Sequence, residues 1–458
     1  MNKKILFFIA AFFSFQSAKA ADLLEVYQQA LISDPTYQQA IAQRLATKEG
    51  VPISVASILP NIALSANPSV TRSGYAGSAL QTDVTGTNPL TPRNNTVRAY
   101  TLTLSVTQTV FDFGKFSGVA GATATSKSAD ATLNAALQDL MVRVANAYFA
   151  VLRDEDNLSY SEASKLAYGQ QLDQIKQQFK VGLKTITDVY TAQASYDSAV
   201  ASYIQAQTTL ANDRENLRVI TGTYYPHLSS LSENFPLITP QPVDVEKWVK
   251  TAQLQNWSIK SSQYSVDAAR QAIHQQFAGH LPTVSVEGSL QREYSENIND
   301  YNNVITENGP GTQTNRTIML NINVPIFEGG GVVAQTNQAV YNYQVAQQQL
   351  EQTMRNTVNT TRQSYLSILQ GVSQVGADKQ AIKSNISSLA GMEASYRVGT
   401  ETLVDVLNQR QKLYQAQTQY ATDRYAFVNN VLALKQAAGT LSFDDLRAIN
   451  AWLIKDKA

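Results

Sequence analysis

The chain has 458 residues, no cysteine, and 36 acidic against 36 basic side chains, for a net charge of +0. The missing cysteine excludes a disulfide framework, a thiolate metal site, a catalytic thiol and a lipid-modified cysteine at a mature N-terminus. Only 16% of residues are charged, below the ~25% of an ordinary soluble domain, and no basic run offers a footprint for nucleic acid.

Residues 1–20 read as a secretory signal peptide. Asn2-Lys3-Lys4 gives a positive start, Ile5 to Phe15 an apolar run, and Ala18-Lys19-Ala20 a small-residue cleavage pattern. The mature chain is expected to begin near Ala21 and to work outside the cytoplasm. No later stretch nears the ~20 apolar residues of a spanning helix, so residence in a membrane has to come from strands.

A helix is predicted over about 22–57, followed by a strand in which Ile62, Leu64 and Ala66 alternate with polar or small residues. A loop over 72–97 carries the turn-formers GTNPLTP, and a second strand covers 100–110. A helix over about 115–178, a turn at Val181-Gly182 and a returning helix over 185–220 complete the pattern. Residues 225–243, with four prolines, are read as a linker. The same order then returns: helix 244–278, a strand with Val284, Val286 and Leu290, a loop over 295–314 containing ENGPGTQTN, and a strand over 317–326. A helix over 332–395, a turn at Val398-Gly399 and a helix over 402–438 follow. Glycine just past both returning helices, in ITG and AAG, suits a left-handed cap.

The two halves are repeats. FKVGLKTITDVYTAQASYDSA (179–199) aligns with YRVGTETLVDVLNQRQKLYQA (396–416), YFAVL (148–152) with YLSIL (365–369), and LRVITGT (217–223) with LKQAAGT (434–440), each 217 residues apart. The domain reading is therefore a first repeat over 21–224, the linker 225–243, a second repeat over 244–440, and a tail over 441–458. A helix of about 64 residues spans roughly 95 Å, and two of about 36 residues end to end match it. That predicts a long wall of helices.

Period-two alternation of about ten residues is the pattern of a transmembrane barrel strand, apolar to lipid and polar to lumen. Leu102, Leu104 and Val106 alternate with Thr103 and Ser105, and Ile318, Leu320 and Ile322 with Met319 and Asn321; these six apolar positions are the predicted lipid face. Four strands cannot close a barrel, since single-chain bacterial barrels start at eight, and open edges in hydrocarbon cost several kcal/mol for each unpaired backbone group. Two copies give eight strands and three give twelve; the inward Thr and Asn lean towards three.

These residues resemble the TolC family of outer-membrane efflux proteins. The specific pieces are FKVGLKTITDV, YRVGTETLVDV, VITGTYYPHLSSLSENF, GHLP (279–282) and VPIFEGG (324–330), and the similarity covers the whole mature chain. The resemblance implies a mixed α and β membrane protein: a homotrimeric, 12-stranded outer-membrane β-barrel with four strands per chain, continued by a long periplasmic α-helical barrel, with the tail near its waist. It implies a periplasmic adaptor (membrane fusion) protein, an inner-membrane pump and outer-membrane lipid as partners, and export of drugs, toxic compounds or proteins through efflux and type I secretion systems. No cofactor, metal, nucleic acid or catalytic group is expected, because the pump supplies the energy.

By the same resemblance, Asp405 takes the place of an acidic pore-ring residue at the periplasmic constriction, and Asn408 stands where a second acid is usual. Glu401 occupies a position where a basic gate residue is expected. Asp188 and Tyr396 match residues of a gate link, and Gly182 and Gly399 mark the hairpin tips where adaptor and pump would dock. Read locally, Thr185-x-x-Asp188 and Thr402-x-x-Asp405 also fit helix capping boxes, with the acids at the positive ends of helix dipoles; a capping acid can still face a lumen. Gly329-Gly330-Gly331 is followed by no Lys-Ser/Thr and reads as a joint, not a phosphate loop. Tyr100, Phe111, Phe113 and Phe327 are candidates for interfacial aromatics at the lower rim of the barrel. The competing functions are a stand-alone porin, whose short periplasmic turns leave such helices without use, and a membrane-anchored rod or adhesin, which would put its strands at one end of the chain.

Overall fold

The computed structural model describes residues 20–74, 94–301 and 304–454. The predicted signal peptide up to residue 19, the centre of the first predicted strand loop and the last four residues lie outside the described residues.

The elements run α1 (Leu23–Ser33), α2 (Pro35–Lys48), α3 (Gly50–Ala56), β1 (Asn61–Gly74), β2 (Asn94–Phe111), α4 (Phe113–Lys180) and α5 (Ile186–Thr221). They continue with α6 (Val245–Gln255), α7 (Trp257–Phe277), β3 (Thr283–Tyr301), β4 (Val304–Asn323), α8 (Gly331–Val398), α9 (Leu403–Ala437) and α10 (Phe443–Asn450). Both α4 and α8 have 68 residues and no internal proline, which lets the backbone ladder run unbroken for roughly 100 Å.

Three expectations need correction. The helix predicted over 22–57 is three helices. It breaks at Asp34, which ends α1 in extended conformation and receives the Tyr37 amide at 2.8 Å as α2 begins. Pro35 opens α2 because its missing N–H is no loss in a first turn. The helix predicted over 244–278 likewise breaks at Asn256, whose side-chain oxygen accepts from the Ser258 and Ile259 amides at 2.9 and 3.2 Å. Finally, the loop predicted over 295–314 is mostly strand. The β3–β4 ladder continues from Ser295↔Gly311 through a register shift to Tyr301↔Val304, so ENGPGTQTN belongs to the strand, with Gly309 and Pro310 in the irregularity between Asn308 and Gly311. At the other end, β4 stops at Asn323 and Val324 to Phe327 lie outside it, next to a proline that cannot donate to a ladder.

The chain divides into two compact units: residues 1–44, 129–262 and 350–458, and residues 45–128 and 263–349. The first is helical and holds the core. Tyr148, Phe149, Phe427 and Leu432 are fully buried with Leu23, Val26 and Leu446 around them. The predicted linker is tied into this core. Ala21 bridges Leu228 and Leu231 bridges Leu453, while the Tyr148 hydroxyl donates to the Ser229 carbonyl at 2.8 Å. The second unit carries the sheet, antiparallel throughout in the order β1-β2-β3-β4. Its strands have 14, 18, 19 and 20 residues, longer than the predicted ten.

Candidate functional site

Two helical hairpins of the first unit carry the predicted gate residues. Each closes in the same way. The Gly182 amide donates to Phe179 and the Leu183 amide to Gln178, both at 2.9 Å; Gly399 donates to Tyr396 at 3.1 Å and Thr400 to Ser395 at 3.0 Å. Nested bonds of this kind need a left-handed residue after the helix, and the two glycines supply it with φ of 78° and 85°.

The returning helices then start with the predicted capping boxes. The Thr185 amide donates to Asp188 Oδ2 at 2.9 Å and the Asp188 amide to Thr185 Oγ1 at 3.2 Å. Thr402 and Asp405 repeat the pair at 3.1 and 3.3 Å, and the Thr402 hydroxyl also donates to Asp405. These bonds hold both carboxyls below the usual aspartate range. For Asp405 the Thr402 hydroxyl contributes most, and Glu401 adds a smaller share in the same direction; for Asp188 the Thr185 amide leads. Both acids are therefore anionic caps.

Asp405 is half-buried, with Glu401 and Asn408 exposed on either side of it along the chain. Asp188 and Tyr396 are not joined: Asp188 is bonded to Thr185, and the buried Tyr396 hydroxyl has no hydrogen-bond partner among the described residues. Lys184 lies over the Tyr396 ring instead, 4.4 Å from its centroid. The hairpins are held together by residues the sequence reading passed over. Arg410 donates to the Ala167 carbonyl at 2.8 Å and pairs with Glu393 at 2.6 Å, while the Tyr168 hydroxyl donates to the Leu407 carbonyl at 3.1 Å. A groove of about 650 Å³ beside them is lined by small and polar side chains, among them Ser164, Thr191, Ser198 and Asn408.

The sheet bears the other predicted set. Register puts Ile62, Val106, Gly288 and Ile318 in one row across all four strands, and Leu64, Leu104 and Leu290 in the next. Ala66 and Leu102 pair in the row beyond, and Leu320 and Ile322 face Val286 and Val284. Exposure alternates along β2: Leu102 and Leu104 are exposed while Thr101, Thr103 and Ser105 are half-covered. Among the described residues no helix is long and apolar enough to cross a membrane.

The model of the family described as "Outer membrane efflux protein" matches residues 26–223 and 248–440. The outer membrane protein TolC of Escherichia coli (strain K12) is 38% identical over 447 residues, covering 96% of this chain and 86% of that protein. The chain belongs to the outer membrane efflux protein family. The alkaline protease secretion protein AprF of Pseudomonas aeruginosa is 26% identical, over 95% of this chain and 88% of that one. The crystal structure of the outer membrane protein VceC from Vibrio cholerae superposes with a TM-score of 0.72 at 22% identity, over 91% and 96% of the two chains. This efflux-family member is thus an outer-membrane channel of the efflux and type I secretion kind, of mixed helix and strand, located in the outer membrane. Membership also implies work with partners such as adaptor proteins.

Proposed function

We propose that three copies of this chain close their sheets into a 12-stranded barrel, continued by a periplasmic tunnel of helices in which each chain contributes two structural repeats. An adaptor and an inner-membrane pump dock at the hairpin tips around Gly182 and Gly399, and the assembly expels small toxic compounds and secretes proteins. The observation that carries this reading is the open sheet. β1 and β4 are its edges, and Leu102, Leu104, Val106, Ile318, Leu320 and Ile322 are exposed on one face of it. Edges of 14 and 20 residues with unpaired backbone groups are intolerable in hydrocarbon, and pairing β4 of one copy with β1 of the next removes them.

In this assembly Asp405, with Glu401 beside it and Asn408 in the next turn, rings the periplasmic constriction. Asp188 and Tyr396 belong to the link that keeps it shut, although no hydrogen bond joins them in the single chain. The carboxylate that caps α9 is the one presented to the pore. The β1–β2 and β3–β4 hairpin ends face outside the cell.

Mass measurement of the protein in mild detergent tests the assembly: a trimer is expected, and a folded monomer or dimer overturns it. Bilayer conductance tests the ring. A cation-selective pore blocked by multivalent cations from the periplasmic side is expected, with the block weakened in Asp405→Ala and nearly lost when Glu401→Ala is added. Unchanged selectivity and block in the double variant leave Asp405 as a cap alone.

A further inference from the structure

The apolar side of the sheet carries arginines. Arg292 sits opposite Leu102 on one neighbouring strand and Thr314 on the other, and Arg316 sits opposite Leu290. Directly paired residues share a face, so both arginines project from the side that bears Leu104, Val106 and Ile318. They are diagonal neighbours on adjacent strands, an arrangement that puts the two backbones roughly 7–8 Å apart. Both are exposed, and no carboxylate among the described residues pairs with either.

The next rows along the strands make this conspicuous. Tyr100, expected beside Phe111 and Phe113, instead stands eleven residues from Phe111, towards the other end of β2, and faces Tyr294 with ring centroids 6.0 Å apart; one row further Arg98 does have an acid, Glu296, at 3.7 Å. The chain thus neutralises an arginine beyond the tyrosines and leaves two uncompensated before them.

Height along the barrel explains where such a pair can exist. Eight residues of a tilted strand, from Val284 to Arg292, climb roughly 20 Å. An outer-membrane barrel has an apolar band about 25 Å tall, flanked by aromatic girdles. Arg292 therefore stands near the far margin of the apolar band, where charge on the lipid face is tolerated, and Arg316, one row lower at roughly 15 Å, reaches that margin with its long side chain, both below the tyrosine pair where headgroups begin. Two adjacent guanidinium groups repel unless an anion lies between them. Arginine's planar fork suits a phosphate oxygen pair, and the spacing allows one phosphate to accept from both.

We propose that Arg292 and Arg316 form a clamp for the phosphate of an anionic glycolipid in the outer leaflet. The inference rests on the proposed barrel, with its convex face to lipid and its hairpin ends outward. Arg316 lies on the edge strand β4, so in the closed ring each clamp stands beside a joint between copies. A lipid held there seals the joint.

The test uses the full-length assembled protein in detergent, exposed to bis-phosphorylated lipid A, to its dephosphorylated form and to phosphatidylglycerol, with retained lipid read by native mass spectrometry. Retention of lipid A is expected to exceed the other two, to fall on the order of tenfold in Arg292→Gln or Arg316→Gln alone and on the order of a hundredfold in the double variant, since one charge-assisted contact is worth about a factor of ten. Arg98→Gln should change it little, and Arg292→Lys with Arg316→Lys should restore part of it. Equal retention by wild type and the Gln variant, or equal retention of lipid A and its dephosphorylated form, overturns the clamp. Equal retention of phosphatidylglycerol overturns the assignment to an outer-leaflet glycolipid. A fluorophore on Leu320→Cys separates these failures from failure of the barrel. Quenching by brominated lipid in a trimer, without lipid A retention, sinks only the clamp; absence of quenching sinks the barrel reading itself.

Discussion

Phe149 and Phe427 in the helical unit expose none of their surface, whereas Ile318 and Ile322 in the sheet expose 87% and 62% of theirs. Both sets are large hydrophobics, and composition does not tell them apart. The first are buried within the chain, against Tyr425 and Phe235. The second have no comparable cover within the chain, because a four-stranded sheet has two edges and one uncovered apolar face. One unit draws its stability from burial inside a single copy. The other depends on what surrounds it: lipid and, in the proposed assembly, further copies.

The sharpest break of that comparison is Phe149→Ala, expected to cost about 3–5 kcal/mol through a cavity at the centre of the helical core. Ile318→Ala should cost less than about 1 kcal/mol, since it opens no cavity. Thermal unfolding of both variants in the same detergent measures the contrast. If the two lose similar stability, the sheet face is packed in the assembly.

Next comes the polarity of the two sheet faces. Ile318→Arg should impair insertion by about 2–4 kcal/mol, the range for arginine near the bilayer midplane on a lipid face. Thr317→Arg, on the opposite face, should insert nearly as well as wild type. Folding yields into vesicles report the difference, and reversed yields would turn the sheet inside out.

A smaller effect concerns the helical unit alone. Asp34 is buried against Arg143, with Arg143 Nη2 donating at 2.8 Å. Burial alone would raise its carboxyl, but hydrogen bonds from Arg143 and from the Tyr37 and Thr36 amides outweigh it and hold the carboxyl below its ordinary value. A folded-state value below the unfolded ~3.9 adds stability at neutral pH that is lost as pH falls below about 4. Asp34→Asn should therefore lose about 1–3 kcal/mol at pH 7 and progressively less towards pH 3. A loss that does not vary with pH would point to packing instead of charge.

The smallest effect lies at the hairpin tips. Thr185→Ala and Thr402→Ala each remove a cap worth about 1 kcal/mol. Faster amide exchange confined to the first turns of α5 and α9 is expected, with the core unmoved.

Much of this was legible because it is local. The two 68-residue helices follow from long proline-free runs, and the tip glycines and capping boxes from patterns only a few residues long. The shared apolar face of β2 and β4 follows from period-two alternation. Asp34-Pro35 was legible too, as an extended residue before a proline, yet the helical composition around it hid the break. Asn256 hid in the same way. The length of the β3–β4 hairpin was misread because GPG resembles a turn, whereas Gly309 and Pro310 form only a register irregularity and the ladder resumes beyond them at Asn308.

The chain's own letters determined the signal pattern, the duplicated order of elements, the strand alternation and the caps, since each depends on neighbours within a turn or two of backbone. Tertiary structure decided what meets across long separations. It ties Tyr148 to Ser229, Arg410 to Ala167, and the row of Leu102 to Arg292. It also decided that Asp188 and Tyr396 share no hydrogen bond in the single chain, and that Arg292 and Arg316 are neighbours on an apolar face. Register is set by the pairing of whole strands, and a slip of one residue would send every side chain to the other side.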